Sequence, residues 1–221
     1  FHMIAVMQFG DWGVEASESV RVTEQGSELF CHLLVEPNTF GTHEFVELCR
    51  LLNAEPYICQ NGLAGVKEMS DWVEYCNATE GKFADMRKKN GHPAPLNVKI
   101  WSVGNEQSGR DYIHKVRDAG LAMKEVDSSI LVTCSGIHGS SSIDPYLFEA
   151  AGEYLNYISA HQYWIENFQE HSTPNYLSCM MLSEKPELYI KKVINQIQTA
   201  EKEGHINKGQ IKIAFDEWNL R

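Results

Sequence analysis

Several familiar chemistries have no footing in this sequence. Its six cysteines form no Cys-x-x-Cys pair, and no Cys/His spacing matches a zinc site. His43-Glu44-Phe45-Val46-Glu47 lacks the second histidine of a zinc-protease helix. Ser135-Gly136-Ile137-His138-Gly139-Ser140 lacks the G-x-S-x-G nucleophile elbow. There is no P-loop, and no glycine-rich phosphate fingerprint follows a strand-like run. No apolar run approaches the roughly 18 residues of a membrane span. Positive charge is scarce: 19 Lys and Arg stand against 30 Asp and Glu, a net charge of −11. That balance argues against nucleic acid and against an anionic membrane surface as partners. An uncharged partner such as a carbohydrate fits. No metal or organic cofactor is implied, and association into a homo-oligomer stays open.

The opening residues Phe1 to Met7 carry no basic n-region and no clear cleavage site, so no signal peptide is read and a cytoplasmic location is expected. Asn77-Ala78-Thr79 is a glycosylation sequon, which matters only in a secreted protein. Cys59 and Cys134 lie in apolar strand-like runs, and Cys49 and Cys76 in helix-like ones. The six cysteines read as reduced thiols packed as small hydrophobes, with an even count leaving disulfides open.

From about residue 36 onward, strand-like runs alternate with helix-like ones. Phe45, Leu48, Leu51 and Leu52 mark one helical face, and Met69, Trp72, Val73 and Cys76 another. A longer helix runs from about Asp111 to Val126, with Ile113, Val116, Gly120 and Met123 inward. Asp144-Pro145 reads as an N-cap and first helical position. The last helix carries Ile190, Val193, Ile194 and Ile197 at i, i+3, i+4, i+7 and stops at Gly204. Strands are expected at Pro56–Asn61, Val98–Glu106, Ile130–Cys134 (followed by a Gly/Ser loop), Tyr157–Tyr163 and up to Glu217. Fully apolar strands between helices predict a parallel sheet covered by helices, in a β/α barrel or an open doubly wound sheet. Residues 1–35 do not follow this rhythm and stay unassigned, which leaves 36–221 as the domain of alternating strands and helices.

Two segments stand out. Val98-Lys99-Ile100-Trp101-Ser102-Val103-Gly104-Asn105-Glu106 and Gln210-Ile211-Lys212-Ile213-Ala214-Phe215-Asp216-Glu217 are both apolar runs that end in a glutamate. A single strand-end glutamate is more often a solvated surface acid. Two of them at the C-terminal ends of parallel strands sit where β/α barrels place their chemistry. A facing pair of carboxylates is the minimum apparatus for cleaving a glycosidic bond. Alternation along His161-Gln162-Tyr163 puts His161 and Tyr163 on one face, where they can serve a carboxylate. Trp101 is either a sugar-stacking surface or a core residue.

These residues resemble a known family. Trp101-Ser102-Val103-Gly104-Asn105-Glu106, His161-Gln162-Tyr163 and Phe215-Asp216-Glu217-Trp218-Asn219 look like the signature strands of family 51 α-L-arabinofuranosidases. Asn38-Thr39-Phe40-Gly41-Thr42-His43-Glu44-Phe45, Ala54-Glu55-Pro56-Tyr57-Ile58-Cys59 and Trp72-Val73-Glu74-Tyr75-Cys76-Asn77 look like earlier segments of the same family. The resemblance implies a (β/α)8 barrel of TIM type, with about strands three to seven recognisable. The Arg-x-Pro-Gly-Gly-Asn strand that the family carries earlier has no match in residues 1–35. Strand eight and a β-sandwich domain have no counterpart either, so the barrel is expected to be incomplete.

By the same resemblance Glu106 is the general acid/base, Glu217 the nucleophile, and Asn105, His161 and Tyr163 contact the substrate or orient the nucleophile. The implied activity is retaining hydrolysis of terminal α-L-arabinofuranosyl residues from arabinose-containing poly- or oligosaccharides. Two alternatives are a related barrel glycosidase acting on xylan or β-glucan, and an inactive fragment that binds sugar.

Overall fold

The computed structural model describes residues 3–7, 19–21, 34–36, 40–138, 142–164 and 182–220. The strands are β1 (Met3–Met7), β2 (Ser19–Arg21), β3 (Leu34–Glu36), β4 (Glu55–Gln60), β5 (Ile100–Val103), β6 (Leu131–His138), β7 (Tyr157–Trp164) and β8 (Lys212–Leu220). The helices are α1 (Thr42–Leu51), α2 (Val66–Asn77), α3 (Lys82–Lys89), α4 (Arg110–Val126), α5 (Tyr146–Ala151) and α6 (Lys185–Glu203). Two compact units emerge: Phe1–Asn105 with Leu121–Ile130, and Glu106–Gly120 with Leu131–Arg221.

In the first unit β1 pairs parallel with β4, and β4 with β5. β2 and β3 form a separate antiparallel pair. Residues 1–35, unplaced by sequence pattern, therefore contribute a strand to the parallel sheet. The polar stretch from Glu15 to Glu28 lies largely outside the described residues, as do Cys31, Asn38 and Thr39. α2 buries Met69, Trp72, Val73, Tyr75 and Cys76, the expected stripe with Tyr75 added. Each such side chain contributes about 1.5–3 kcal/mol on removal from water. Trp101 is fully buried with its ring edge-on to Trp72, and its indole N–H donates to the Val98 carbonyl. It is a core residue, not a sugar platform.

The sequon asparagine is also structural. Asn77 donates to the Val98 carbonyl and to Asp127, and its own carbonyl accepts the Val98 N–H. α3, which the apolar pattern does not mark, buries Ala84 and Arg87. The Arg87 guanidinium donates to the backbone carbonyls of Tyr75 and His92.

α1 departs from expectation. Phe45 and Cys49 are buried, while Leu48, Leu51 and Leu52 are exposed. A four-residue step from Phe45 places Cys49 over it, and a thiol packs as a small hydrophobe. Cys49, Cys59, Cys76 and Cys134 are all buried.

In the second unit β6 pairs parallel with β7, and β7 with β8. The part of α4 that belongs to this unit buries Ile113, Val116, Ala119 and Gly120, while Met123, in the part belonging to the first unit, is buried too. α6 buries Tyr189, Val193, Ile197 and Ala200 and ends at Gly204 in the left-handed region, φ 80°. Ile194 faces outward instead. The cap of the next helix falls on Pro145, one residue later than expected, and Asp144 ahead of it accepts the Tyr146 N–H on its carboxylate at 3.0 Å.

Two strands run further than their apolar patterns suggest. β6 continues through Ser135-Gly136-Ile137-His138, and β8 continues past Glu217 to Leu220. Each contains a bulge. Ser135 pairs with Ser159 but Ile137 with Ala160, so Gly136 is the extra residue of β6. Ser159 pairs with Ala214 but His161 with Glu217, so β8 carries one residue more than β7 between those pairs.

Candidate active site

The cluster forms at the C-terminal ends of β7 and β8. Along β7, alternation aims Ser159, His161 and Tyr163 to one face. The bulge in β8 lets the consecutive residues Asp216 and Glu217 both reach that face, which strict alternation forbids. Asp216 accepts a hydrogen bond from the Ser159 hydroxyl at 2.9 Å and lies 3.3 Å from His161 Nε2. Glu217 accepts a short hydrogen bond from the Tyr163 hydroxyl and lies 3.5 Å from His161 Nδ1.

Glu106 arrives from the turn after β5. Gly104 and Glu106 both occupy the left-handed region, at φ 73° and 48°. Asn53 and Asn97 share that conformation, but asparagine tolerates it and glutamate does not. Ahead of the turn, the Gly104 carbonyl accepts the Ser102 hydroxyl at 3.0 Å and the Cys59 thiol at 3.2 Å. Behind it, the Gln107 N–H donates to the Ser135 hydroxyl at 3.3 Å. So held, the Glu106 carboxylate lies 3.1 Å from His161 Nδ1. One oxygen of Glu106, one oxygen of Glu217 and a nitrogen of His161 all lie within 4.8 Å of one another.

His161 is buried, with about 4% of its surface exposed, while Glu106 and Glu217 remain partly open to solvent. Its hydrogen bonds define its charge. The single Ser159 hydroxyl proton goes to Asp216, so the 2.9 Å contact between that hydroxyl and Nε2 needs a proton on the nitrogen. Among the described residues, Nδ1 faces only carboxylate oxygens. Burial lowers the imidazole's affinity for a proton. The hydrogen bonds to Asp216 and Glu106, with the charges of Asp216 and Glu217, outweigh that and raise the pKa. The Tyr189 hydroxyl of α6 donates to the His161 carbonyl at 2.8 Å, and burial pushes that phenol up to about 12.

This geometry brings Glu106, His161, Tyr163 and Glu217 together. Asn105 precedes Glu106 in the turn, half-buried, and takes no part in the hydrogen-bond cluster of the described residues. Ser159 and Asp216 are members that sequence reasoning missed. Ser159 is legible in retrospect, two residues before His161 on an alternating strand. Asp216 is not, because its orientation depends on the bulge. The three donor atoms of Glu106, His161 and Glu217 are close enough to share a cation. His161 and Tyr163 already supply hydrogen bonds to both carboxylates, and no metal is assigned.

Residues 11–179 match the model of the α-L-arabinofuranosidase 1 domain. The chain belongs to the family 51 α-L-arabinofuranosidases. It is 35% identical over 206 residues to an intracellular exo-α-(1→5)-L-arabinofuranosidase of Acetivibrio thermocellus, a match covering 84% of this chain and 39% of the relative. The family 51 α-L-arabinofuranosidase of Thermotoga petrophila superposes with a TM-score of 0.63 at 32% identity, over 85% of this chain and 39% of that one. The Thermotoga maritima α-L-arabinofuranosidase, solved as an arabinose complex, gives 0.66 at 29% identity, over 98% and 46%. The chain thus spans about two fifths of the relatives' length.

These likenesses make the fold an incomplete (β/α) barrel of the family 51 type. They also account for the parallel β6-β7-β8 order, since barrel strands joined through helices run parallel. Within this family member, Trp164, Tyr189, Phe215 and Trp218 pack around the backs of β7 and β8, with the Phe215 and Trp218 rings stacked at 6.0 Å. That layer braces the strands from the face opposite Glu217. No helix among the described residues is long and apolar enough to cross a membrane.

Proposed function

We propose that this chain supplies the reacting groups of a retaining glycosidase that releases terminal α-L-arabinofuranosyl residues from arabinose-containing carbohydrates. The observation that carries the proposal is the approach of Glu106 and Glu217 oxygens to within 4.8 Å. Retaining pairs stand about 5–5.5 Å apart, whereas inverting pairs need about 6.5–9.5 Å to admit a water.

Glu217 is the nucleophile. It attacks the anomeric carbon as the glycosidic bond breaks, and Glu106 passes a proton to the departing oxygen. A glycosyl ester on Glu217 results. Glu106 then takes a proton from water, which attacks the same carbon and releases the sugar. Tyr163 holds one Glu217 oxygen, and the other, 3.5 Å from His161 Nδ1, is the one that attacks. His161 lies within reach of both carboxylates and steadies them as the negative charge moves from Glu217 to Glu106 during ester formation. Asn105, next to the acid, is placed to bond a sugar hydroxyl.

Support for arabinofuranose as the sugar comes from the family and from the Acetivibrio relative's printed activity. That relative's intracellular description favours a cytoplasmic setting here too. Residues 36–221 hold every proposed catalytic group. The deciding experiment follows hydrolysis of an aryl α-L-arabinofuranoside by proton NMR. Arabinose released first as the α-anomer, with turnover abolished in Glu217→Ala, supports the assignment; initial release of the β-anomer overturns it.

A further inference from the structure

A hydrogen bond from outside the sheet ends on the main chain of the active-site cluster. The Tyr189 side chain of α6 is buried, and its hydroxyl donates to the His161 carbonyl at 2.8 Å. No step of the hydrolysis uses it. The place where the bond lands matters. The register between β7 and β8 shifts after Ser159 and resumes at His161, opposite Glu217. A bulge disrupts the ladder locally, so main-chain pairing fixes a strand less firmly there. Yet His161 is the residue that most needs fixing, because its ring stands 3.1 Å from Glu106, 3.3 Å from Asp216 and 3.5 Å from Glu217. A ring can be placed no better than the backbone that carries it.

The donor is itself held. The Tyr189 ring lies edge-on to Trp164, at 6.4 Å and 85°, and tilted against Phe215, at 5.8 Å and 43°. Trp164 belongs to β7 and Phe215 to β8, the two strands that change register. One phenol therefore packs on both strands and bonds the residue where their pairing resumes. Burial, with the charge of Asp216 adding to it, outweighs the bond to His161 and pushes the phenol up to about 12. The hydroxyl thus stays a donor throughout the neutral range.

We infer that Tyr189 is a positioning residue for the hydrolysis: its hydroxyl pins the His161 main chain where β7 and β8 change register, and so sets the reach of the imidazole to Glu106 and Glu217. The inference rests on those two carboxylates being the reacting groups. In this role Tyr189 acts through His161 and not on the sugar. Removing the hydroxyl lets the ring drift from both carboxylates at once, and small displacements at a reacting centre are costly.

The test is Tyr189→Phe in the complete chain, which keeps the ring against Trp164 and Phe215 and removes only the hydroxyl. On an aryl α-L-arabinofuranoside, kcat should fall roughly ten- to a hundredfold with KM little changed, since what is lost is made in the transition state. The His161 ring, followed by NMR, should titrate at lower pH, because the contacts to Asp216 and Glu106 that hold its proton have loosened. Ile197→Ala is the control. Ile197 is buried further along the same helix. Its truncation weakens the packing of α6 and lowers the thermal midpoint, but should leave kcat and the His161 titration where they are. An unchanged kcat or an unchanged titration in Tyr189→Phe overturns the inference. So does an equal fall in both variants, which makes Tyr189 a packing residue only. Should the unsubstituted chain not turn over the glycoside, the reading of Glu106 and Glu217 fails, and the titration alone decides this inference. A shift in Tyr189→Phe but not in Ile197→Ala supports it; no shift, or the same shift in both, overturns it.

Discussion

His161 stands opposite Glu217 because β8 carries one residue more than β7 after the Ser159–Ala214 pair. Without that extra residue His161 would face Asp216, and Glu217 would point to the other side of the sheet. With it, one imidazole touches Asp216 through Nε2 and both proposed catalytic carboxylates through Nδ1.

The two carboxylates are predicted to fail differently. Glu217→Ala should lose more than about a thousandfold in kcat on every substrate, since no covalent step remains. Added azide should restore turnover there and yield a glycosyl azide of inverted configuration. Glu106→Ala should lose about a hundred- to ten-thousandfold on substrates with sugar leaving groups, and far less on activated aryl glycosides that need no proton. Equal losses of both variants across leaving groups would remove the division of roles.

His161 makes stability depend on pH. Its folded-state pKa lies above the unfolded value, so its contribution is fully present below about pH 6.5 and is lost as pH rises through the raised value. Urea unfolding should therefore show the protein losing stability as pH rises above about 6.5, and His161→Gln should flatten that stretch of the curve. An identical slope in the variant would contradict the hydrogen-bond argument for a cationic ring.

Asp216→Asn removes the strongest of the interactions that raise the His161 pKa against the effect of burial. The ring's titration, followed by NMR, should move to lower pH. Because Asp216 acts through His161, kcat should fall mainly on the alkaline side of the pH profile, and a uniform fall at all pH values would mark Asp216 as merely structural.

Gly136 admits no side chain. A Cβ there would lie 2.0 Å from the Ile158 Cγ2 methyl, on a β-branched residue with little rotamer freedom. Gly136→Ala should cost about 1–3 kcal/mol in chemical denaturation. Ile158→Ala in the same chain should recover part of that loss, so the two substitutions will not add.

Glu106 sits at φ 48°, where an L side chain costs roughly 1–2 kcal/mol. Glu106→Gly should therefore be more stable than Glu106→Ala by roughly 1 kcal/mol, with both inactive on sugar leaving groups. Equal thermal midpoints for the two would show that the turn carries no strain.

Local pattern was enough to read much of this molecule. Met69, Trp72, Val73 and Cys76 announce α2 and its buried side together, and Gly204 announces the end of α6. His161 and Tyr163 share a face because a strand repeats every two residues. Pattern failed where packing chose between near-equal faces. On α1 Phe45 is buried as the stripe expects, but Cys49 is buried in place of the leucines, since whichever side meets the sheet is buried. β1 was missed because a five-residue run has no helical or alternating signature strong enough to stand alone.

The residue types and their order therefore determined the alternation of strands and helices, the two glutamates as the chemistry to watch, and the β7 face that serves them. Only the tertiary structure decided that Asp216 joins Glu217 on one face, that Ser159 and Asp216 set the charge of His161, and that Glu106 comes within 4.8 Å of Glu217. The physical reason is that a bulge is defined by the strand beside it. One extra residue in β8 is invisible along the chain and exists only against β7, where it reverses which side chains meet.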